Sequence, residues 1–442
     1  MLKIELTKEI KEVFNVLNRA GYECFIVGGC VRDFLLNKKP HDIDFTTNAT
    51  PDQMKECFKN YNIIETGLKH GTLTVVINHQ PYEITTYRTE GEYLDSRHPS
   101  KVEFVTDLKE DLVRRDFTIN AIAYNPQIGF VDYFNGKQDL KNGIIRCVNE
   151  PIKRLTEDAL RILRALRFAA VLNYEIEPLT EQACFDCSEK LKNISAERIL
   201  SELEKTIIQP NAHKIMFKYI DIWGVVIPEL LKMKGFEQRN PHHVYDVWKH
   251  TCVALKGAAE NEIVRLTVLF HDIGKPDCFV LDENGYGHFY GHAEKSEEIT
   301  RTILNRLKMD NVTKNEVLTL IKYHDLDLQP TEKYVKKLCY KLGSLNMVKK
   351  LVLVQRADNF GQAPIHDERI EKFNIIDEII LKLEKEELSF SLKDLAVNGN
   401  DIISIGITGK EIGISLKYLL ESVLNGEVKN EKKELLKHLK FK

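Results

Sequence analysis

Asp42 and Asp44, separated by one isoleucine in the run DIDF, are the first residues whose types and spacing could do chemistry. If DIDF is a strand, the side-chain period of two turns both carboxylates to one face and Ile43 and Phe45 to the other. The two carboxylates then lie about 7 Å apart along the strand, close enough to share a pair of hard cations. Facing a core without a partner they would be costly, so they require solvent or metal. Two magnesium ions held there would activate an attacking hydroxyl and steady a leaving pyrophosphate, which is the chemistry of nucleotidyl transfer. Glu83, in YEITTYR with Tyr82 and Ile84 on the opposite face, is either a third, catalytic carboxylate or a surface residue of its strand.

The elements that must position these groups are local and short. CFIV reads as a buried strand that runs into a turn at Gly28 and Gly29, followed by a helix over VRDFLLN. Glycines there let backbone N–H groups approach a phosphate at the positive end of the next helix, although a plain structural turn has the same sequence. LTVVI and YEITTY read as further strands. In RRDFTINA, Arg115, Asp116 and Asn120 offer donors and acceptors suited to a sugar hydroxyl or, alternatively, a salt-bridged helix start.

At 442 residues the chain exceeds what one core organises, and two to four domains are expected. Strand and helix signals alternate to about Asn149, and long helical periodicities follow. The net charge of −3 gives no overall pull on nucleic acid, so any RNA contact falls to local patches: the arginines from Arg154 to Arg167 and the terminal KNEKKELLKHLKFK. No apolar run approaches the roughly 20 residues of a membrane span, and the N-terminus is an amphipathic helix pattern rather than a signal peptide, so a cytoplasmic protein without membrane contact is expected. The nine cysteines are scattered, and the one CxxC, Cys184 to Cys187, lacks a second pair.

GGCVRDFLL with DIDF, then TYRTEGEYLDSRHPSKVEFV, RRDFTINAIAY and TEDALRILRALRF, in this order, resemble the class II tRNA nucleotidyltransferases, the CCA-adding enzymes of the polymerase β superfamily. The resemblance runs from Ile26 to about Leu203. It implies a polymerase β-like α/β catalytic head with a mixed sheet, followed by mainly α-helical neck, HD and tail domains. It also implies addition of CCA to tRNA 3′ ends from CTP and ATP without a nucleic-acid template. By the same resemblance Asp42 and Asp44 bind magnesium, and Gly29, Arg32, Arg115, Arg164 and Arg167 contact the phosphates or ribose. The loop around GEYLDSRHPS, with Gly91, Asp95, Ser96 and Pro99, reshapes the pocket between C and A addition. ISAERILSEL, with Glu197 and Arg198, matches a helix-supporting motif.

In this family, side chains select the base, and the helix read over RLTEDALRILRALRF allows a physical check. Glu157, Asp158, Arg161 and Arg164 fall in one stripe, with Ala159, Ile162, Leu166 and Ala169 on the other side. Cytosine and adenine each present an amino donor beside a ring-nitrogen acceptor, so Asp158 can accept while Arg161 donates. Guanine and uracil present the reverse order and leave buried groups unpaired.

VRLTVLFHDIGKPD places His271 and Asp272 at the end of an apolar helix, with His250 upstream in VWKHT and Asp358 downstream in VQRADNF. A helical bundle would bring such spaced ligands onto one metal. The set resembles an HD phosphohydrolase domain, in which His292 and His324 match the histidines of a second metal site. This implies metal-dependent phosphoesterase activity, with a transition metal as the candidate ion. The expected division is a head over 1–149, a neck over 150–238, an HD domain over 239–367 and a tRNA-binding tail over 368–442. Two other readings share these motifs: a poly(A) polymerase or partial CC-adding or A-adding enzyme, and an HD hydrolase with an RNA-binding front domain.

Overall fold

A computed structural model describes residues 6–40, 42–90, 102–241, 243–362, 368–385 and 392–440. The chain divides into two compact units, 1–206 with 221–226 and 207–220 with 227–442. The loop Gly91 to Ser100 lies outside the described residues.

In the first unit, α1 (Lys8–Arg19) starts where the Thr7 side chain accepts from the Ile10 N–H. It buries Ile10, Val13, Phe14 and Leu17, the i, i+3, i+4, i+7 stripe of an amphipathic helix. There follow β1 (Cys24–Val27), α2 (Gly29–Leu35), β2 (Asp44–Thr47) and α3 (Pro51–Cys57), the last opened by a Thr50 and Gln53 capping box. Then come β3 (Asn62–Ile64), β4 (Thr72–Ile77), β5 (Gln80–Thr86), the antiparallel pair β6 (Arg88–Glu90) and β7 (Val102–Phe104), and α4 (Leu108–Val113). β8 (Ala123–Asn125) and β9 (Gly129–Val131) complete a seven-stranded sheet of order β3-β4-β5-β2-β1-β8-β9. Only β2 and β5 pair in parallel, so the sheet is mixed as expected. Phe25, Val27, Tyr87, Leu108, Leu112 and Ala123 pack as one core cluster, and Phe14 sets its ring edge-on to Phe45 at 5.5 Å.

The helical part of this unit comprises α5 (Gly136–Asn142), α6 (Pro151–Glu157), α7 (Leu160–Leu172), α8 (Pro178–Asp186) and α9 (Ala196–Ile207). Here the structure corrects the sequence reading. RLTEDALRILRALRF is two helices, not one: Asp158 is extended (φ −138°, ψ 102°), and its Oδ1 accepts from the Leu160 N–H at 3.1 Å. A short carboxylate that bonds the backbone two residues on competes with helix propagation. Arg161 covers a carbonyl released by the break, donating from Nη1 to the Arg154 carbonyl at 2.8 Å.

In the second unit the main helices are Val247–Gly257, Glu262–Phe270, His292–Arg306, Asn311–Tyr323 and Leu345–Gly361, with a two-stranded hairpin, Val280–Leu281 against Gly287–His288. Towards the C-terminus Glu411–Leu424 and Lys432–Lys440 close on a core of Leu395, Val397, Ile402, Leu419, Leu420, Leu424 and Leu435. Gly406 and Gly409 take left-handed φ of 94° and 62°, making the turns between short helices that the glycines of this stretch announce. Among the described residues no helix is long and apolar enough to cross a membrane. Cys184 and Cys187 are buried free thiols.

Candidate active site

β2 begins at Asp44, so Asp42 precedes the strand and the simple alternation argument holds only from Asp44 onward. What sets Asp44 beside Glu83 is instead the parallel register of β2 and β5, which makes them direct partners on one face. Tyr82 and Ile84 are buried on the other, as their alternation predicted. Loss of water to the surrounding protein raises the Asp44 carboxyl above the ordinary range; Arg115 opposes this, while Glu83 and Asp42 add repulsion. Repelling carboxylates at a strand end fit a divalent cation.

Gly28 caps α2 with φ 80°, and a Cβ there would lie 3.0 Å from Arg115 Nη1. The left-handed backbone is what calls for glycine here, and the guanidinium packs closely beside it. Gly29 lies against Arg32, whose Nη1 donates to Asn120 Oδ1 at 2.8 Å while Nε and Nη2 hold Asp33. Arg115 leans on the buried Asp111 at 3.5 Å.

Asp116 ties the remaining groups together. Its Oδ1 accepts from Asn120 and from the Phe117 N–H, and its Oδ2 accepts from Arg164 Nε at 2.9 Å and Nη2 at 2.6 Å. Burial alone would raise its carboxyl, but Arg164 and Asn120 outweigh burial and hold it down at about 2. A depressed carboxyl stabilises the fold fully above the ordinary carboxylate range and loses that contribution as pH falls from about 4 to 2. Asp116→Asn is accordingly expected to cost roughly 2 kcal/mol at pH 7, with urea midpoints of variant and parent converging as pH falls towards about 2.

Arg167 pairs with Glu202 at 2.6 Å. Phe168, which the sequence reading did not single out, gathers three guanidinium groups: Arg167, Arg32 and Arg164 lie 4.5, 5.1 and 5.5 Å from its ring centroid.

Asp158 and Arg161 share a backbone hydrogen bond, from the Arg161 N–H to the Asp158 carbonyl at 3.0 Å, but their side chains go to other partners. Asp158 Oδ2 accepts from Arg198 Nη2 at 2.8 Å, so the motif read as helix support also orients a base-reading candidate. Arg161 is buried, with Nη1 on Glu157 at 3.0 Å and Nη2 on the Arg114 carbonyl at 2.9 Å.

In the second unit, His250, His271, Asp272 and Asp358 converge, and Asp272 is shared with His292 and His324; within each set the ligand atoms lie within 4.8 Å of one another. Among the described residues these are the tight sets of this kind; the carboxylates of the first unit are more open. His250 Nε2 is 2.9 Å from Asp358 and 3.4 Å from Asp272, and His271 Nε2 is 3.2 Å from Asp272. Each histidine donates Nδ1–H to a backbone carbonyl: Gly361 at 3.0 Å, Val268 at 2.7 Å, Phe289 at 2.9 Å and Ile321 at 2.6 Å. That fixes the tautomer and turns every Nε2 inward as a ligand. His292 and His324 then face each other, Nε2 to Nε2, at 3.2 Å, two lone pairs with no proton between them unless a cation or proton joins them. His271 Nε2 is buried without a hydrogen bond. Lys275 adds positive charge 2.7 Å from Asp272. The cluster opens into a cavity of about 720 Å³.

A mixed sheet presenting adjacent carboxylates beside a glycine turn and an arginine wall, followed by a mainly helical remainder, defines a polymerase β-like nucleotidyltransferase. Residues 24–146 match the Poly A polymerase head domain, and residues 283–439 match tRNA nucleotidyltransferase domain 2. The CCA-adding enzyme of Lactobacillus helveticus is 33% identical over 447 residues, covering 99% of both chains. That of Staphylococcus haemolyticus is 34% identical over 447 residues, covering 99% of this chain and 98% of the relative. The solved structure of the Bacillus stearothermophilus CCA-adding enzyme in complex with CTP superposes with a TM-score of 0.73 at 27% identity over 99% of each chain. The chain belongs to the family of CCA-adding enzymes, which are tRNA nucleotidyltransferases. These relatives do not favour the poly(A) polymerase, partial-enzyme or hydrolase-only readings.

Proposed function

We propose that this chain rebuilds the CCA end of tRNA, adding C, C and A in turn from CTP and ATP without a nucleic-acid template. The observation that carries the reading is the register that sets Asp44 beside Glu83, within reach of Arg115 and the Gly28 turn. Asp42 and Asp44 hold magnesium, with Glu83 as the third carboxylate. Magnesium supplies there the activation of the tRNA 3′ hydroxyl and neutralisation of the departing pyrophosphate. Gly28 and Gly29 leave room for the triphosphate backbone, Arg32, Arg115, Arg164 and Arg167 meet its charge, and Asp116 with Asn120 orients the sugar contacts. Asp158 accepts from the amino group of C or A and Arg161 donates to the adjacent ring nitrogen.

The head extends over 1–149, the neck over 150–238, the HD domain over 239–367 and the tRNA-binding tail over 368–442. tRNA lies along the helical parts, helped by the lysines of Lys432–Lys440, in a cytoplasmic enzyme whose tRNA affinity weakens as salt rises. In the test, tRNA lacking CCA is incubated with each labelled triphosphate. CTP alone is expected to add two residues, and ATP a single residue only after them. Untemplated A runs, or a stop after CC with ATP present, overturn the assignment.

The facing Nε2 atoms of His292 and His324 favour a second activity. His250, His271, Asp272 and Asp358 hold one metal, of the transition series, and Asp272, His292 and His324 a second. Metal there supplies an activated water for phosphoester hydrolysis. Lys275 meets the substrate's negative charge, and damaged RNA 3′ ends are the fitting substrates.

A further inference from the structure

Asp111 is a buried carboxylate that neither the metal contacts nor the base contacts use. Its side chain is fully enclosed on α4, yet it takes donors from two strands as well as from its own helix end. Oδ1 accepts from Arg114 Nε at 2.9 Å, with Nη2 also at 2.9 Å, and lies 3.4 Å from the backbone N–H of Arg88 at the start of β6. Oδ2 lies 3.3 Å from the Thr46 hydroxyl on β2 and 3.5 Å from Arg115 Nη2. Burial alone would raise this carboxyl, but Arg114 and Arg115 outweigh it and hold it below the ordinary range, so the charge persists at neutral pH.

Arg114 and the Arg88 N–H already neutralise and hydrogen-bond the carboxylate, so a second guanidinium is more than its burial requires. Arg115, by contrast, keeps donors in hand. Its Nε is buried without a hydrogen bond, and its Nη1 faces the Gly28 turn, 3.0 Å from where a Cβ would stand. A buried donor left open marks a group held for a further acceptor. The oxygen that holds Arg115 also meets Thr46, which lies on the same face of β2 as Asp44. One carboxylate oxygen thus ties the guanidinium to the strand that carries Asp44. The Arg114 carbonyl accepts from Arg161 Nη2 at 2.9 Å, so the arginine pair is pinned through its backbone as well.

Resting on the reading in which Arg115 meets the triphosphate, we propose that Asp111 is a positioning residue for nucleotidyl transfer, aiming the Arg115 guanidinium past the Gly28 turn at the phosphates of a nucleotide held beside Asp44. Asp111 touches neither nucleotide nor metal and acts through Arg115.

The test uses the full chain with magnesium, CTP and tRNA lacking CCA. Asp111→Asn keeps the shape of the side chain and removes the charge that faces Arg115. It is expected to lower kcat/KM for CTP about 5- to 50-fold, mainly through KM for CTP, with KM for tRNA within about twofold of the parent. Arg115→Gln gives a loss at least as large, and adding Asp111→Asn to it costs less than about twofold more. If urea titration shows Asp111→Asn unfolded, Thr46→Val carries the same comparison, with a loss of about 3- to 10-fold that vanishes in the Arg115→Gln background. Losses that multiply in the double variant, or a parent-like KM for CTP in the single variant while Arg115→Gln raises it, leave Asp111 a purely structural carboxylate and overturn the proposal. A parent-like KM for CTP in Arg115→Gln itself overturns the placement of Arg115 on the triphosphate.

Discussion

Asp44→Asn is expected to lower kcat for CTP and ATP addition about a thousandfold or more, the equivalent of roughly 4 kcal/mol of transition-state stabilisation. The substitution keeps the shape of the side chain and removes the charge that would hold magnesium beside Glu83. Stability moves the other way. The folded-state carboxyl is raised, by the surrounding protein first and by Glu83 and Asp42 in addition, against Arg115. A raised carboxyl is favourable to folding only at acidic pH, and that contribution is lost as pH rises through the folded value. At pH 7 the ionised group therefore stabilises nothing, and the melting temperature of Asp44→Asn should equal or exceed that of the parent. Phosphoester hydrolysis by the second unit should be untouched, whereas His271→Ala should abolish hydrolysis and spare nucleotide addition. A variant that adds CCA at the parent rate without the Asp44 charge removes the carboxylate from the mechanism.

Asp158→Ala is expected to compress the preference for C and A over G and U by about 5- to 150-fold, read as kcat/KM for each of the four triphosphates in single-nucleotide addition. The range corresponds to roughly 1 to 3 kcal/mol for one unpaired buried group. The loss should fall on CTP and ATP, because in the proposed reading the carboxylate is the acceptor for their amino groups. Asp158 is the cleaner test of base reading than Arg161. Its Oδ1 is engaged by the Leu160 N–H and its Oδ2 by Arg198, yet a carboxylate oxygen accepts more than one donor and the side chain is only partly buried. Arg161 also closes the interrupted helix through the Arg154 carbonyl, ties it to the Arg114 carbonyl at the end of α4 and pairs with Glu157. Its replacement would strip buried carbonyls of their donor and confound selectivity with unfolding. Unchanged discrimination in a folded Asp158→Ala protein, shown by a parent-like urea midpoint, would transfer base selection elsewhere.

Much of the candidate site could be read from the chain because it is written in local signals. A short apolar run, two glycines and an aspartate pair specify strand, turn and strand between Cys24 and Thr47, and the structure has them as β1, the Gly28 turn and β2. The histidines and aspartates of the second unit were legible through residue type and motif, and the helices bring all six together. What escaped was tertiary. Arg198 reaches Asp158 from a helix forty residues later, a pairing that no periodicity announces. The break at Asp158 carries neither glycine nor proline, and it arises because one carboxylate prefers its own backbone to the helix. Asp42 fell outside β2 because strand ends are set by pairing partners, and Val27 and Glu83 extend the ladder only as far as Asp44. Gly91 to Ser100 lies outside the described residues, so its role in switching from C to A rests on sequence resemblance.

Phe168 sits on α7 among the arginines, and its position has a quantitative corollary. Arg32, Arg164 and Arg167 share this single ring, and Arg32 and Arg164 are linked again through Asn120 and Asp116. Groups that lean on a common support cannot act as independent increments. Removing one arginine lets the other two resettle over the vacated π face, so the three single losses in nucleotide affinity need not sum to the triple loss. The wall proposed to meet the triphosphate is in this sense one cooperative cation, and its energetic unit is the ring with its three guanidinium groups rather than any arginine alone.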